Sequence, residues 1–289
     1  MRKLTRRDFL IISGTATAST FVLPKVSMAD NVKNIGIQAY TLRDNMAKDP
    51  AATLKAIADA GYSYVEGYTT DKGMFFGYGV ADFKKMLADL GLKMVSTHSG
   101  IVNSDTEVES HQKKLADAAE AGLKYIVLPW IGEEYRKTAN DVKTLASKLN
   151  NTAKLAKSAG LTQCYHNHDF EFSSVDGQVI YDILLKETDP SLVKFELDIY
   201  WITKAQKDPL AYFSKYPMRF PLWHVKDMAK NDRNLNTEVG NGSIDWKPIF
   251  QKSKLCGLEY PLVEQENNYI PDFNGSVKAS ADYLKKFVY

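Results

Sequence analysis

The chain has 289 residues, of which 44% are hydrophobic and 25% charged, with 37 basic side chains against 35 acidic and only two cysteines, Cys164 and Cys256. That is the composition of a globular protein able to build a core without staples, and it excludes a disulfide framework; both thiols are expected to be buried. The length suits one large α/β domain or two ordinary ones.

Residues 1–29 follow a different grammar. Arg6 and Arg7 precede a modest apolar run, 9–23, diluted by Gly14 and several Ser and Thr, and Ser27-Met28-Ala29 supplies the small residues of a cleavage site. This resembles a bacterial twin-arginine export signal, which implies passage through that export machinery, a periplasmic address and no membrane attachment once the signal is removed. The run is too short and polar to span a bilayer. Without residues 1–29, which carry five basic side chains and one acidic, the formal charge goes from +2 to −2. Such a protein has no basic excess for nucleic acid.

From residue 34 short β-rich runs alternate with helical ones at a steady interval. Strands are expected over 34–42, 62–68, 92–98, 124–130, 161–168, 192–201, 220–228 and 260–266. Helices are expected over 50–60, 81–90, 107–121, 139–159, 179–187, 209–216, 245–254 and 276–287. Pro50 opens the first helix, and Gly61, Gly91, Gly122 and Gly160 stand just past four of them. Eight strand–helix pairs without a Pro- or Ser-rich linker argue for a single closed (β/α)8 TIM barrel over 30–289, with an open doubly wound sheet as the alternative. The longest connection, 229–244, carries Gly240-Asn241-Gly242, which reads equally as an active-site loop or as plain turn residues.

In such a barrel function gathers at the C-terminal ends of strands. There the sequence places Glu66, His98, Trp130, His166 with His168, Asp198 with Trp201, His224 with Lys226, and Glu264 with Glu266. Only His111 of the five histidines falls in a helix, where it reads as a solvated surface residue. Residues two apart on a strand share a face, so Cys164, His166 and His168 point one way. Glu196 and Asp198 share a face about 6.6 Å apart, so Asp198, nearer the end, is the candidate to share an ion with His224, and Glu196 reads as a deeper hydrogen-bonded residue. Lys226 would sit one step nearer the mouth. Beside an ion its amine would lose its proton and serve as base, unless it pairs with Asp227 or Glu196.

The segments Y-H-N-H-D-F-E-F, E-L-D-I-Y-W, W-H-V-K-D and L-V-E-Q-E, in this order, resemble the xylose isomerase-like barrel superfamily of sugar phosphate isomerases and epimerases, whose members include ketose 3-epimerases, inosose dehydratase and endonuclease IV. The resemblance implies one divalent ion held by one residue from each of strands five to eight, here His166, Asp198, His224 and Glu264, with His168 as the other candidate on strand five. Many relatives have Glu where this chain has His166, so proton transfer between two glutamates does not carry over, and the base is left as Glu264, Lys226 or His168. Two imidazoles and two carboxylates suit Mn2+ or Zn2+ better than Mg2+, with Co2+ also within the range of the superfamily. Glu66, His98, Trp130 and Trp201 are left to contact substrate.

The implied function is a periplasmic, divalent-metal-dependent isomerase or epimerase of an unphosphorylated carbohydrate, working through an enediolate. A lyase or hydrolase that uses the same enolate to eliminate from a keto-sugar or 3-keto-glycoside is the alternative. A sugar-binding module without catalysis is the reading from another class, and a nuclease is disfavoured by the charge. Homo-oligomerisation is left open.

Overall fold

The computed structural model describes residues 35–287. The expected leader lies outside them. The eight expected strands are all present: β1 (Gly36–Gln38), β2 (Tyr64–Tyr68), β3 (Lys93–His98), β4 (Tyr125–Leu128), β5 (Thr162–His166), β6 (Val193–Asp198), β7 (Leu222–Val225) and β8 (Tyr260–Val263). All pair in parallel with their sequence neighbours, and β1 pairs with both β2 and β8, so the sheet closes. This (β/α)8 barrel rules out the open sheet.

Helices α1 (Arg43–Lys48), α2 (Pro50–Asp59), α3 (Val80–Asp89), α4 (Val108–Ala121), α5 (Ala139–Ser158), α6 (Ile180–Glu187), α7 (Ile199–Lys204), α8 (Pro209–Lys215), α9 (Trp246–Phe250), α10 (Ser253–Cys256) and α11 (Phe273–Phe287) surround the strands. Their starts are chemically marked. Asp49 accepts from the Ala52 amide at 3.0 Å ahead of Pro50, and Thr138 and Asp141 form a reciprocal capping box on α5. His111 is a correction to the sequence reading: it lies on the same face of α4 as Leu115 and Ala118, at the helical spacing of the buried stripe, and is itself buried.

Two expected strands are cut short by helices. After Gln38 the chain turns at once, because the Gln38 side chain accepts from the Tyr40 amide at 2.9 Å. After Asp198 the same happens: its Oδ1 accepts from the Trp201 amide at 2.8 Å and caps α7. Trp201 therefore belongs to a helix, not to a strand end. β5 likewise stops at His166, leaving His168 in the following loop.

Inside the barrel, Val95, Val127, Cys164, Leu222 and Leu262 form an apolar plug, closed at the N-terminal end by Tyr64, Tyr125 and Tyr260 in edge-to-face contacts. Both cysteines are free and buried. Inward-facing residues alternate along each strand, so the next layer toward the C-terminal end is polar: Gln38, Glu66, His166, Glu196 and His224.

The 229–244 connection is organised around Asp227. Its carboxylate accepts from the amides of Met228 (2.8 Å), Gly240 (2.8 Å), Gly242 (3.3 Å) and Ile244 (3.2 Å) and from the indole N–H of Trp246 (2.9 Å). A Cβ on Gly242 would meet Asp227 Oδ1 at 2.1 Å, and Gly240 has φ +93°. Both glycines are thus turn residues that let the loop wrap a buried carboxylate. Gly242→Ala should cost about 1–3 kcal/mol, read as a lower melting temperature; Gly100→Ala, where nothing lies within 4 Å of the new Cβ, serves as control. Equal melting of the two variants would contradict this account of the loop.

Candidate active site

The polar layer is held together by two imidazoles placed between carboxylates. His224 Nε2 lies 2.8 Å from Glu66 Oε1 and 3.2 Å from Glu196 Oε2. On the other side of the ring, Nδ1 lies 3.0 Å from Glu264 Oε2 and 3.7 Å from Asp198 Oδ2. His98 Nε2 completes the inner set, 3.0 Å from Glu196 Oε2 and 3.2 Å from Glu66 Oε1. Gln38 donates to Glu66 at 2.7 Å. The register explains the meeting: Asp198 sits level with His224, and His166 level with Glu196.

Burial and charge compete at each of these groups. Burial opposes the imidazolium of His98, but the charge of Glu66 and its hydrogen bonds to both glutamates win and hold it at about 9. Burial likewise opposes charging His224, and the charges of Glu196 and Glu264 again prevail, raising it well above the usual range. Burial works against Glu66 too, yet the His98 charge and hydrogen bonds from both imidazoles keep it ionised. Glu196, buried beside the Glu66 charge, is pushed up to about 7, and burial also raises Asp198. His166 and His168 stay neutral: burial lowers both, helped at His166 by the His224 charge and at His168, pushed down to about 3, by Lys226.

A cavity of about 540 Å³ opens above this layer. His98, His166, His168, Glu264 and Glu266 face it at the floor, and Tyr40, Tyr68 and Trp130 line it higher up. Two expected substrate contacts are corrected. Glu66 is wholly buried under His98 and His224, because β2 continues two residues beyond it to Tyr68. Trp201, drawn into α7, packs behind the wall against His168 (ring centroids 5.3 Å) and under the Lys226 ammonium (5.1 Å). His98 and Trp130 do line the cavity.

A protein family described as the xylose isomerase-like TIM barrel matches residues 54–286. The chain belongs to that family. A sugar phosphate isomerase/epimerase from Parabacteroides distasonis is 33% identical in a solved structure, with TM-score 0.76 and coverage of 88% of this chain and 98% of that one. The inosose dehydratase of Geobacillus kaustophilus is 24% identical over 265 residues, which is 78% of this chain and 82% of that enzyme. The inosose dehydratase of Clostridium tetani matches over 46% of this chain, and the chain spans about half of that enzyme, 45%. At 13% identity, a structure of the IOLI protein with a zinc atom shares the fold, with TM-score 0.70. Its relatives by name are thus enzymes of both dehydratase and isomerase/epimerase type.

The chemistry of the donor set in this family member fits a divalent cation. Asp198 Oδ2, His224 Nδ1 and Glu264 Oε2 come within 4.8 Å of one another, and so do ligand atoms of His98, His166, Glu196 and His224. Three of the four expected metal residues therefore converge, while His166 falls in the adjoining group that shares His224. Among the described residues Asp198 Oδ2, His166 Nδ1, Glu66 Oε2 and Glu196 Oε1 are buried without a hydrogen-bond partner, a costly state for carboxylate oxygens and a ring nitrogen that a cation would relieve.

The expectation for Lys226 is a base beside an ion, or else a partner of Asp227 or Glu196. Its amine pairs with Glu264 at 3.2 Å and with Glu266, not with Asp227 or Glu196. Burial opposes its charge, but Glu264, Asp198 and Glu266 raise its pKa and keep it protonated.

Sequence reasoning missed Gln38 and Glu171. Glu171 is buried, accepting from the Tyr165 hydroxyl at 2.7 Å and from the His168 amide at 2.8 Å, so it fixes the loop that carries His168. Its signal was present in the dense Y-H-N-H-D-F-E-F run, where only the histidines were assigned roles. Burial pushes its carboxyl from 4.5 up to about 7. The folded protein then holds an extra proton between these values, so this group's contribution to stability is full below the lower one and falls as pH rises through the window. In denaturant melts across pH 4–8, the wild type should lose up to roughly 3 kcal/mol relative to Glu171→Gln as pH rises. Parallel curves would refute the assignment.

Proposed function

We propose that the protein is a divalent-cation-dependent enzyme that removes a proton beside a carbonyl of an unphosphorylated carbohydrate and eliminates across the adjacent bond. The observation that carries this reading is the pair of cavity-lining imidazoles in opposite surroundings: His98, whose Nε2 lies 3.0 Å from Glu196 and 3.2 Å from Glu66, and His168, whose buried Nδ1 lacks a partner among the described residues; the glutamates raise the first against burial, and burial lowers the second. The His166 ring lies between them, with centroids 5.4 Å from His98 and 5.0 Å from His168. An acid and a base on one floor are what elimination requires.

Asp198, His224 and Glu264, with His166 beside them, would hold the cation. When bound, it supplies Lewis-acid polarisation of the carbonyl oxygen. His168 takes the proton from the carbon next to the carbonyl. The electron pair left behind forms the new double bond as the bond to the neighbouring oxygen breaks, and His98 gives its proton to that departing oxygen. Products are an unsaturated keto-sugar and water or an alcohol. Lys226, kept cationic by Glu264 and Glu266, stabilises negative charge that develops at the floor. Glu66 accepts from His224 Nε2 and so turns Nδ1 toward Asp198 and Glu264.

Isomerisation or epimerisation is the second reading, favoured by the likeness to the P. distasonis sugar phosphate isomerase/epimerase. It shares the first proton transfer and differs only in where the proton returns. An unphosphorylated substrate is supported by the cavity wall, where no Lys or Arg stands among the described residues, and by the Arg6-Arg7 leader, from which we infer export to the periplasm.

Two outcomes test this. Metal analysis should find Mn or Zn in the wild type and none in the Asp198→Ala/His224→Ala variant, while Glu66→Gln should weaken the ion's binding about 10–100-fold. In D2O, the metal-loaded protein should exchange the α-proton of 3-keto-glycosides, followed by NMR, and His168→Gln should slow exchange at least about 100-fold. No metal in the wild type, or exchange unaffected by His168→Gln, would overturn the mechanism.

A further inference from the structure

Above its polar floor the cavity changes character. Trp130 is 54% exposed although it lines the cavity wall, and Tyr40, two residues past the end of β1, is 38% exposed. Pro129 leads into Trp130 and restricts the backbone there. Tyr40 is braced on several sides: its ring meets Tyr68 edge to face at 5.2 Å, the Arg43 guanidinium lies 4.9 Å from its centroid, and Arg43 donates to its carbonyl. Both rings are left open to water at the mouth of a site whose floor is built from imidazoles and carboxylates, and Tyr40 is held in place by its neighbours. Large aromatics held uncovered in this way mark a binding surface. The cavity volume, about 540 Å³, falls in the range of drug-sized ligands rather than of one sugar ring.

We infer that the substrate consists of two linked rings: a reacting sugar on the polar floor, and a second flat-faced ring, pyranose or aromatic, stacked on Trp130. The inference rests on the carbohydrate reading above and adds a second subsite to it. Both kinds of ring present an apolar face to indole, and neither needs a charged partner, in keeping with a wall that has no Lys or Arg among the described residues. The leaving oxygen protonated by His98 would then belong to the second ring, which makes the eliminated group an alcohol or phenol rather than water.

Isothermal titration of the Zn2+-loaded protein tests this, with methyl and phenyl β-glycosides of D-glucose, D-galactose and D-xylose, with cellobiose, and with phenol. The phenyl glycoside of the preferred sugar, or cellobiose, should bind about tenfold more tightly than the methyl glycoside, and phenol alone should bind far more weakly. A gain with cellobiose points to a second sugar, and a gain with phenyl glycosides to an aromatic group; either supports the subsite. Trp130→Ala should collapse the ratio toward one, and Trp130→Phe should keep most of it. Phenyl glycosides and cellobiose that all bind no better than the methyl glycosides, or a ratio that survives Trp130→Ala, would overturn the second subsite while leaving the carbohydrate reading intact. Failure of every sugar to bind would remove that reading and this one together.

Discussion

Everything at the C-terminal end of this barrel depends on the need to pair buried charge. His224 is fully buried, and both of its ring nitrogens face carboxylates. Removing any one of these groups would leave a neighbour charged in an apolar surround, at a cost of several kcal/mol. The apolar plug beneath keeps water out from below, which strengthens each interaction in the layer above. The arrangement is stable as a set and weak as a collection of parts.

The surrounding loops use the same device. Asp227 gathers the 229–244 connection. Glu238, within that connection, accepts from the Ile270 amide at 3.1 Å and the Ser276 hydroxyl at 2.6 Å and so ties it to the start of α11. Asn236 accepts from the Glu266 amide at 3.0 Å, which sets the backbone beside the cavity floor. Loops that reach the site are thus anchored by buried polar side chains rather than by apolar packing, an arrangement suited to segments that must stay at the surface.

Much of this was legible in the chain. Strand order and the gathering of His98, His166, Asp198, His224 and Glu264 at one end follow from hydrophobic periodicity and from glycines past the helix ends. What was not legible depends on three-dimensional competition. The run after Asp198 is apolar enough to continue a strand, and only the capping bond to the Trp201 amide shows that it turns. His111 looks like any helical histidine until Leu115 and Ala118 place its face against the core. The pairing of Lys226 could not be read from its neighbours in sequence, because Glu264 and Glu266 arrive from the end of another strand. Glu66 was grouped with the polar strand-end residues, but it lies two residues short of the strand's end and is wholly buried.

The double use of Asp198 would bear on which cations such a centre could accept. One carboxylate oxygen is committed to the start of α7, so only Oδ2 faces His224. A carboxylate tied in this way acts as a single-point ligand and cannot chelate through both oxygens. Ions such as Ca2+, which fill six to eight positions and favour two-oxygen grips, are poorly served by it. Smaller ions that accept few donors and tolerate imidazole are served well. The Trp201 amide, in the first turn of a short helix, would thereby act as a size filter.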